Sequence, residues 1–332
     1  MKHMSNKPKG MIVGTGMGVP TRELTNADLE KIIDTSEEWI RTRTGILSRK
    51  IAENGMLLSD LAATAGLEAI RDAGIQPEDI DVIILGTITG DVKFPSTACY
   101  IQNKIGAVNA AAFDISAACS GFLYGLIIAG QMLEDKKYRN ILVIGGDILT
   151  SLINWKDRNT CVLFGDGAGA CVVQPSDGAR GILSTYMKSD GSLSELLVCP
   201  GYGVKNPPHT TCDNQDANYI QMEGREVFKH AVRCMGDAAV RVIEEAGLTG
   251  DDVTLLIPHQ ANIRIIEATA KRLNISMDRV FINIDRYGNT SAGSIPIALN
   301  EARKQGRLKN GDVCVMVVFG GGFTWSAAAV QF

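Results

Sequence analysis

The chain has 332 residues, 45% of them hydrophobic, with 33 basic and 37 acidic side chains and a formal net charge of −4. That length can bury a large core in one big or two smaller domains, and the acidic balance excludes the global basic field that would hold nucleic acid. The eight cysteines include no C-x-x-C pair, and none of the four histidines pairs with a cysteine at zinc-ligand spacing. Reduced, mostly buried cytosolic thiols are therefore expected, and a metal site is not.

The first ten residues are polar, basic at Lys2, Lys7 and Lys9, and followed by no apolar h-region, so no signal peptide is expected. Residues 11–20 read as a strand running into a glycine turn. Gly14, Gly16 and Gly18 give G-x-G-x-G, and Pro20 interrupts any following helix, so the dinucleotide fingerprint is not met. Helices are expected from Thr25 and from about Ser36, with Ser36 as a cap. Trp39, Arg41 and Arg43 gather just before Gly45. They form either an exposed helix end or a site for an anion and an aromatic ring.

A repeat comes next. Residues 69–85 read as a helix end, a glycine stop at Gly74, a short loop and a buried strand; residues 242–258 read the same way around Gly247. Gly247 lies 173 residues after Gly74, and Asp252 lies 173 after Asp79. Carried on, the strand at 141–145 lands on 314–318. An offset of half the chain predicts a duplicated α/β unit, with halves at 11–178 and 179–332 and each sheet covered on both faces.

Between the repeated segments lies the stretch 113–122, where Ser116, Ala117, Ala118, Ser120 and Gly121 crowd around Cys119. Small residues let other backbone come close, and the apolar run from Phe122 predicts a buried helix starting at or just after the cysteine. A thiol at a helix N-terminus is expected to favour thiolate, and the helix-end N–H groups could bond an oxyanion. The plain alternative is a core cysteine. The run from Ile115 to Leu133 is uncharged and long enough to suggest a membrane span. Its Ser, Cys, Gly and Gln content between Asp114 and Glu134 fits a central helix of a soluble protein better. Residues 165–169 and 319–323 are expected as tight turns between strands. The irregular stretch from Cys199 to Asn218 is expected as a surface excursion able to cover a site.

His259 follows the apolar run Leu255–Pro258, at a strand end where an α/β fold keeps reactive groups. A lone histidine there is as often structural as catalytic. Offset by 173, Cys119 lands on Ala292, beside Asn289, so the cysteine turn of one half should face the asparagine turn of the other. Together Cys119, His259 and Asn289 supply a nucleophile, a proton-handling or donor group and an amide donor.

The motifs Ala118-Cys119-Ser120-Gly121-Phe122, Pro258-His259-Gln260-Ala261-Asn262, Gly288-Asn289-Thr290-Ser291-Ala292 and Gly320-Gly321-Gly322-Phe323, in this order, resemble the β-ketoacyl-acyl carrier protein synthase III family. These are the initiating condensing enzymes of fatty-acid synthesis, in the thiolase superfamily, and the resemblance runs from about Met11 to Phe332. It implies a five-layered α-β-α-β-α sandwich of two pseudo-symmetric halves. It implies a thioester on Cys119 taken from acyl-coenzyme A, then attack on it by the enolate of decarboxylated malonyl-carrier protein. His259 and Asn289 would stabilise the enolate, and the N–H groups of Cys119 and Gly322 would form the oxyanion hole.

The resemblance further places Trp39, Arg43, Arg158, Gly224 and Asn262 along coenzyme A, and Phe164 in the acyl pocket. Phe94 would reach the acyl pocket of a second copy, implying a homodimer. Acyl-coenzyme A is a substrate, and no cofactor is implied. Lys229 and Arg264 match positions proposed for docking acyl carrier protein. Arg225 and Arg233 share a helix with Lys229, and Lys271 and Arg272 share one with Arg264, which suggests a cationic dock. A related superfamily transferase making a quinolone, polyketide or acyl ester would keep the same triad. A non-catalytic acyl binder would be free to lose it.

Overall fold

The computed structural model describes residues 8–201, 203–206 and 215–332. Much of the stretch expected to cover the site, with His209 and Cys212, lies outside the described residues, as do Lys2 and Lys7.

Nine main strands are β1 (Met11–Gly18), β2 (Val82–Gly86), β3 (Ala111–Ile115), β4 (Ile141–Ile148), β5 (Asp166–Gln174), β6 (Gly181–Ser189), β7 (Leu255–Pro258), β8 (Val313–Gly320) and β9 (Thr324–Gln331). The main helices are α1 (Glu37–Thr44), α2 (Leu58–Asp72), α3 (Thr97–Ile105), α4 (Gly121–Glu134), α5 (Gly224–Glu245), α6 (Ile263–Arg272) and α7 (Ser294–Lys304). One sheet runs β1-β5-β4-β2-β3 and the other β7-β8-β9-β6. Read as β6-β9-β8-β7, the second sheet repeats the first in order and in direction. Its first two pairings are antiparallel and the third is parallel, as in the other sheet. The fifth position, filled by β3 in one sheet, shrinks in the other to a parallel bridge between Leu256 and Val280.

Three apolar cores follow from the layering. One joins α2 and α3 to the first sheet through Leu61, Ile83 and Ile101. The middle one holds α4 and α7 between the sheets through Phe122, Leu126 and Leu299. The last joins α5 and α6 to the second sheet through Met235, Ile266 and Val317. The result is a thiolase-like five-layered α-β-α-β-α sandwich. Buried strands carry apolar residues on both faces, which is why β2 and β4 read as continuous apolar runs. Helix α4 accounts for the uncharged run; among the described residues no helix is long and apolar enough to cross a membrane.

Two local expectations are corrected. Gly14, Gly16 and Gly18 lie inside β1 and make no turn. A Cβ on them would come within 2.2 Å of Ala69 O, 2.2 Å of Ala65 O and 2.1 Å of Leu61 O, so the glycines let α2 lie directly on the strand. Residues 166–169 likewise open β5 instead of forming a turn, whereas residues 321–323 do connect β8 to β9. Ser36 caps α1 as expected, its hydroxyl accepting from the Trp39 N–H.

Candidate active site

Two short 3-10 turns meet where the halves touch: Ala118–Ser120 before α4 and Ser291–Gly293 before α7. Their first residues, Ala118 and Ser291, lie 173 apart, and both adopt positive φ (47° and 50°), rare for residues with a side chain. The crowding explains the small residues. A Cβ at Gly320 would sit 2.8 Å from the Cys119 nitrogen, and one at Gly86 2.4 Å from the Gly121 carbonyl carbon.

Cys119, His259 and Asn289 all line one cavity, with Phe164, Gly224 and Asn262 on its wall. Cys119 is half-buried. Burial pushes its thiol up to about 12, against a smaller downward pull from the Ser291 hydroxyl. The expected thiolate preference at the helix start is therefore not what the resting site shows: desolvation outweighs the helix end. His259 sits at the end of β7, its N–H on Val317 O (2.8 Å) and its Nδ1 2.6 Å from Ser294 Oγ. Burial lowers its pKa to about 3, so the ring is neutral near pH 7. Asn289 is held by its own N–H on Leu163 O and by a bridge to Phe164. Its Oδ1 accepts from the Ser291 N–H (2.9 Å), leaving the amide nitrogen as the free donor of the side chain.

Asn262 links the cavity to the cationic aromatic cluster at α1. Its Nδ2 donates to Arg43 O (3.0 Å), and the Arg43 and Arg158 guanidiniums each stack on Trp39 at 4.7 Å. Arg158 also donates to Asp34 O (3.0 Å). The Arg264 Nε donates to the same Arg43 carbonyl (3.3 Å), and its guanidinium lies 5.9 Å from the Phe228 ring. Arg264 thus belongs to this cluster as much as to any dock.

Gly322 is not on the cavity wall; Gly320 and Gly321 are. The peptide chain turns at Gly321, which faces Ala118, and Gly322 has already moved past it. Phe94 does not line this cavity and is 84% exposed. The basic residues Arg225, Lys229, Arg233, Lys271 and Arg272 are all exposed on α5 and α6. Lys229 pairs with Glu226, Arg272 with Asp237, and Arg233 bonds His230 beside a separate groove with Trp325.

Family models match at residues 113–191 (3-Oxoacyl-[acyl-carrier-protein (ACP)] synthase III) and 243–332 (its C terminal). The chain is 52% identical over 329 residues to the Beta-ketoacyl-[acyl-carrier-protein] synthase III of Caldanaerobacter subterraneus subsp. tengcongensis, covering 99% of both chains. The chain belongs to the β-ketoacyl-[acyl-carrier-protein] synthase III family. A similar protein from Roseiflexus castenholzii is 53% identical over 321 residues, covering 97% of each. The crystal structure of the Aquifex aeolicus 3-oxoacyl-[acyl-carrier-protein] synthase III superposes with a TM-score of 0.91 at 50% identity, covering 97% of this chain and all of that one.

In this synthase III fold, Ser294 and Arg49 shape the site without a motif of their own, and Ser291 does so from within the Asn289 motif. Ser294 fixes the His259 ring, and Ser291 fixes Asn289. Arg49 is fully buried and donates to Leu24 O, Asn26 Oδ1 and Val162 O, beside Gly165 and Gly288. Burial lowers it to about 10, still protonated near neutrality, and it braces the segment that carries the Phe164–Asn289 bridge. Of Ser294 and Arg49, only Ser294 had a hint in the sequence, the 173-residue offset from Gly121.

Proposed function

We propose that this chain starts fatty-acid synthesis by condensing an acyl-coenzyme A primer with malonyl-acyl carrier protein, through a thioester on Cys119. One observation carries the reading: Cys119, His259 and Asn289, distant in sequence, line a single apolar-walled cavity. Trp39, Arg43 and Arg158 hold the adenine and phosphates of coenzyme A, and Asn262 and Gly224 flank its pantetheine arm. Cys119 attacks the acyl thioester, and coenzyme A leaves as its thiol. The carbonyl oxygen is held by the Cys119 N–H and a glycine N–H of the 320–322 turn. Malonyl-carrier protein then loses carbon dioxide, and its enolate attacks the Cys119 thioester.

That step needs hydrogen-bond donors and no proton acceptor. The Ser294 hydroxyl donates to Nδ1, so His259 keeps its proton on Nε2 and offers it to the enolate oxygen; the Asn289 amide offers a second. A neutral histidine suits this task, and burial keeps it neutral. No cofactor takes part in this scheme. The chain is read as two halves, 11–178 and 179–332, that share the site. It works in the cytoplasm as a homodimer in which Phe94 enters the partner's acyl pocket. The acidic carrier protein docks on Arg225 and Lys229, with Arg264 at the cavity end.

The test is intact mass after incubation with acetyl-coenzyme A, followed by peptide mapping. An acetyl adduct confined to Cys119 is expected. An adduct on another cysteine, or none, overturns the reading.

A further inference from the structure

Asp147, at the end of β4, is a fully buried carboxylate with no cationic partner among the described residues, and the condensation scheme gives it no task. One oxygen is saturated: Oδ1 accepts from Thr87 Oγ1 (2.8 Å), the Ile88 and Thr89 N–H groups (2.8 and 3.2 Å) and Thr89 Oγ1 (2.9 Å). The other, Oδ2, has only a long contact from the Ala292 N–H (3.4 Å) and faces the 291–293 turn. Ser291 stands in that turn between the carboxylate and the nucleophile. Its side chain lines the cavity, is 1% exposed, and its Oγ makes no hydrogen bond of ordinary geometry. The next residue, Ala292, touches the carboxylate through its N–H and lies against Gly121 of the cysteine's turn, so the Ser291 hydroxyl stands beside both. A buried hydroxyl with two polar neighbours and no settled partner is free to swing between them.

We propose that Ser291 relays the Cys119 thiol proton to Asp147 during acyl loading. The inference rests on the functional reading above. As Cys119 Sγ bonds the acyl carbon, its S–H bond breaks and the proton passes to Ser291 Oγ, whose own proton passes to Asp147 Oδ2. As the adduct collapses, the carbon–sulfur bond to coenzyme A breaks. The proton then returns from Asp147 through Ser291 to the leaving sulfur, and both residues end as they began.

Charge decides for this route. Passing the proton to His259 would create two buried charges, imidazolium and thiolate, where there were none. Passing it to Asp147 moves one negative charge without adding any, so no new ion is desolvated. Burial also weakens the ring of His259 as a proton acceptor. Asp147 is shifted the helpful way, its pKa raised by burial. The other titratable group facing it is Asp166, also buried and also raised.

The experiment compares two reactions of Cys119 at pH 7: alkylation by iodoacetamide, which needs only thiolate, and acetyl transfer from acetyl-coenzyme A. In Asp147→Asn the like charge beside the thiol is gone, so alkylation should rise. Loading should nevertheless fall about 100-fold, the low end for a lost general base. Ser291→Gly removes the hydroxyl while suiting the positive φ at that position, and should slow both reactions. Loading that rises with alkylation in Asp147→Asn overturns the relay, because Asp147 would then only raise the thiol pKa. If Asp147→Asn misfolds, Ser291→Gly decides: unchanged loading sinks the proposal. A wild-type chain that alkylates at Cys119 but takes no acetyl group refutes the functional reading itself, a separate outcome.

Discussion

The turns at 118–120 and 291–293 are one backbone used twice, and they differ in what lies over them. Each begins with a positive-φ residue and feeds a helix, α4 at Gly121 and α7 at Ser294. Over the first passes Gly320 of β8, so close to the Cys119 nitrogen that only hydrogen fits. Over the second passes Asp147 of β4, 173 residues earlier, whose carboxylate takes the Ala292 N–H. At the neighbouring strand ends, Gly86 lets Gly121 approach, while its counterpart His259 turns a ring into the cavity. Duplication thus supplies two equivalent frames. The two frames differ at matched positions: Cys119 lies under bare backbone on one side, with His259, Asn289 and a buried acid on the other.

That asymmetry can be broken at its donors first. His259→Ala or Asn289→Ala should lower condensation by about 100- to 1,000-fold, the cost of losing one such donor, while Cys119 still takes an acetyl group. Loading and decarboxylation measured separately check this; equal collapse of both in Asn289→Ala would show that Asn289 serves loading as well. Next comes the space over the nucleophile. Gly320→Ala gives the first turn the side chain its counterpart tolerates, and should cut Cys119 loading by about 100-fold through displacement of the turn. Stopped-flow acylation reads it, and near-normal loading would mean the turn yields easily.

The carrier surface should respond less. Arg225→Glu with Lys229→Glu should slow malonyl-carrier condensation by about 10-fold at low salt and little at high salt, with coenzyme A loading unchanged. Arg264 is left intact because it bonds Arg43 O and would confound the two substrates. The last test is of stability. The folded pKa of His259, about 3, lies below its ordinary 6.5, so the unfolded chain binds that proton first. The contribution is whole above pH 6.5 and is lost as pH falls from 6.5 towards 3, by about 1.4 kcal/mol per unit. Melting curves of His259→Gln should fall less steeply over that window than those of the wild type.

The repeat was legible because strand-loop-helix grammar survives in sequence: Gly74 and Gly247 stop helices at matching places, and buried strands remain apolar runs. The cysteine, histidine and asparagine were legible because each sits in a motif of small or rigid neighbours. The glycines of β1 were misread, since a strand glycine and a turn glycine look alike until the helix packed on them is seen. Which of the three consecutive glycines line the cavity, Gly320 and Gly321, could not be read from sequence, since such a run gives no sign of where the chain turns.

By itself the sequence determined the α/β class, the duplication and the family, and it singled out Cys119, His259 and Asn289 as candidates, all of which depend on local pattern and order. The tertiary structure alone decided that burial holds the thiol protonated and the histidine neutral. It also decided that Ser294 orients one donor and Ser291 the other, and that Asp147 lies behind the nucleophile without a counter-ion among the described residues. Those facts depend on desolvation and on contacts between residues far apart in the chain, such as Asp147 and Ala292 or His259 and Ser294, and no spacing along a sequence encodes the dielectric around an atom.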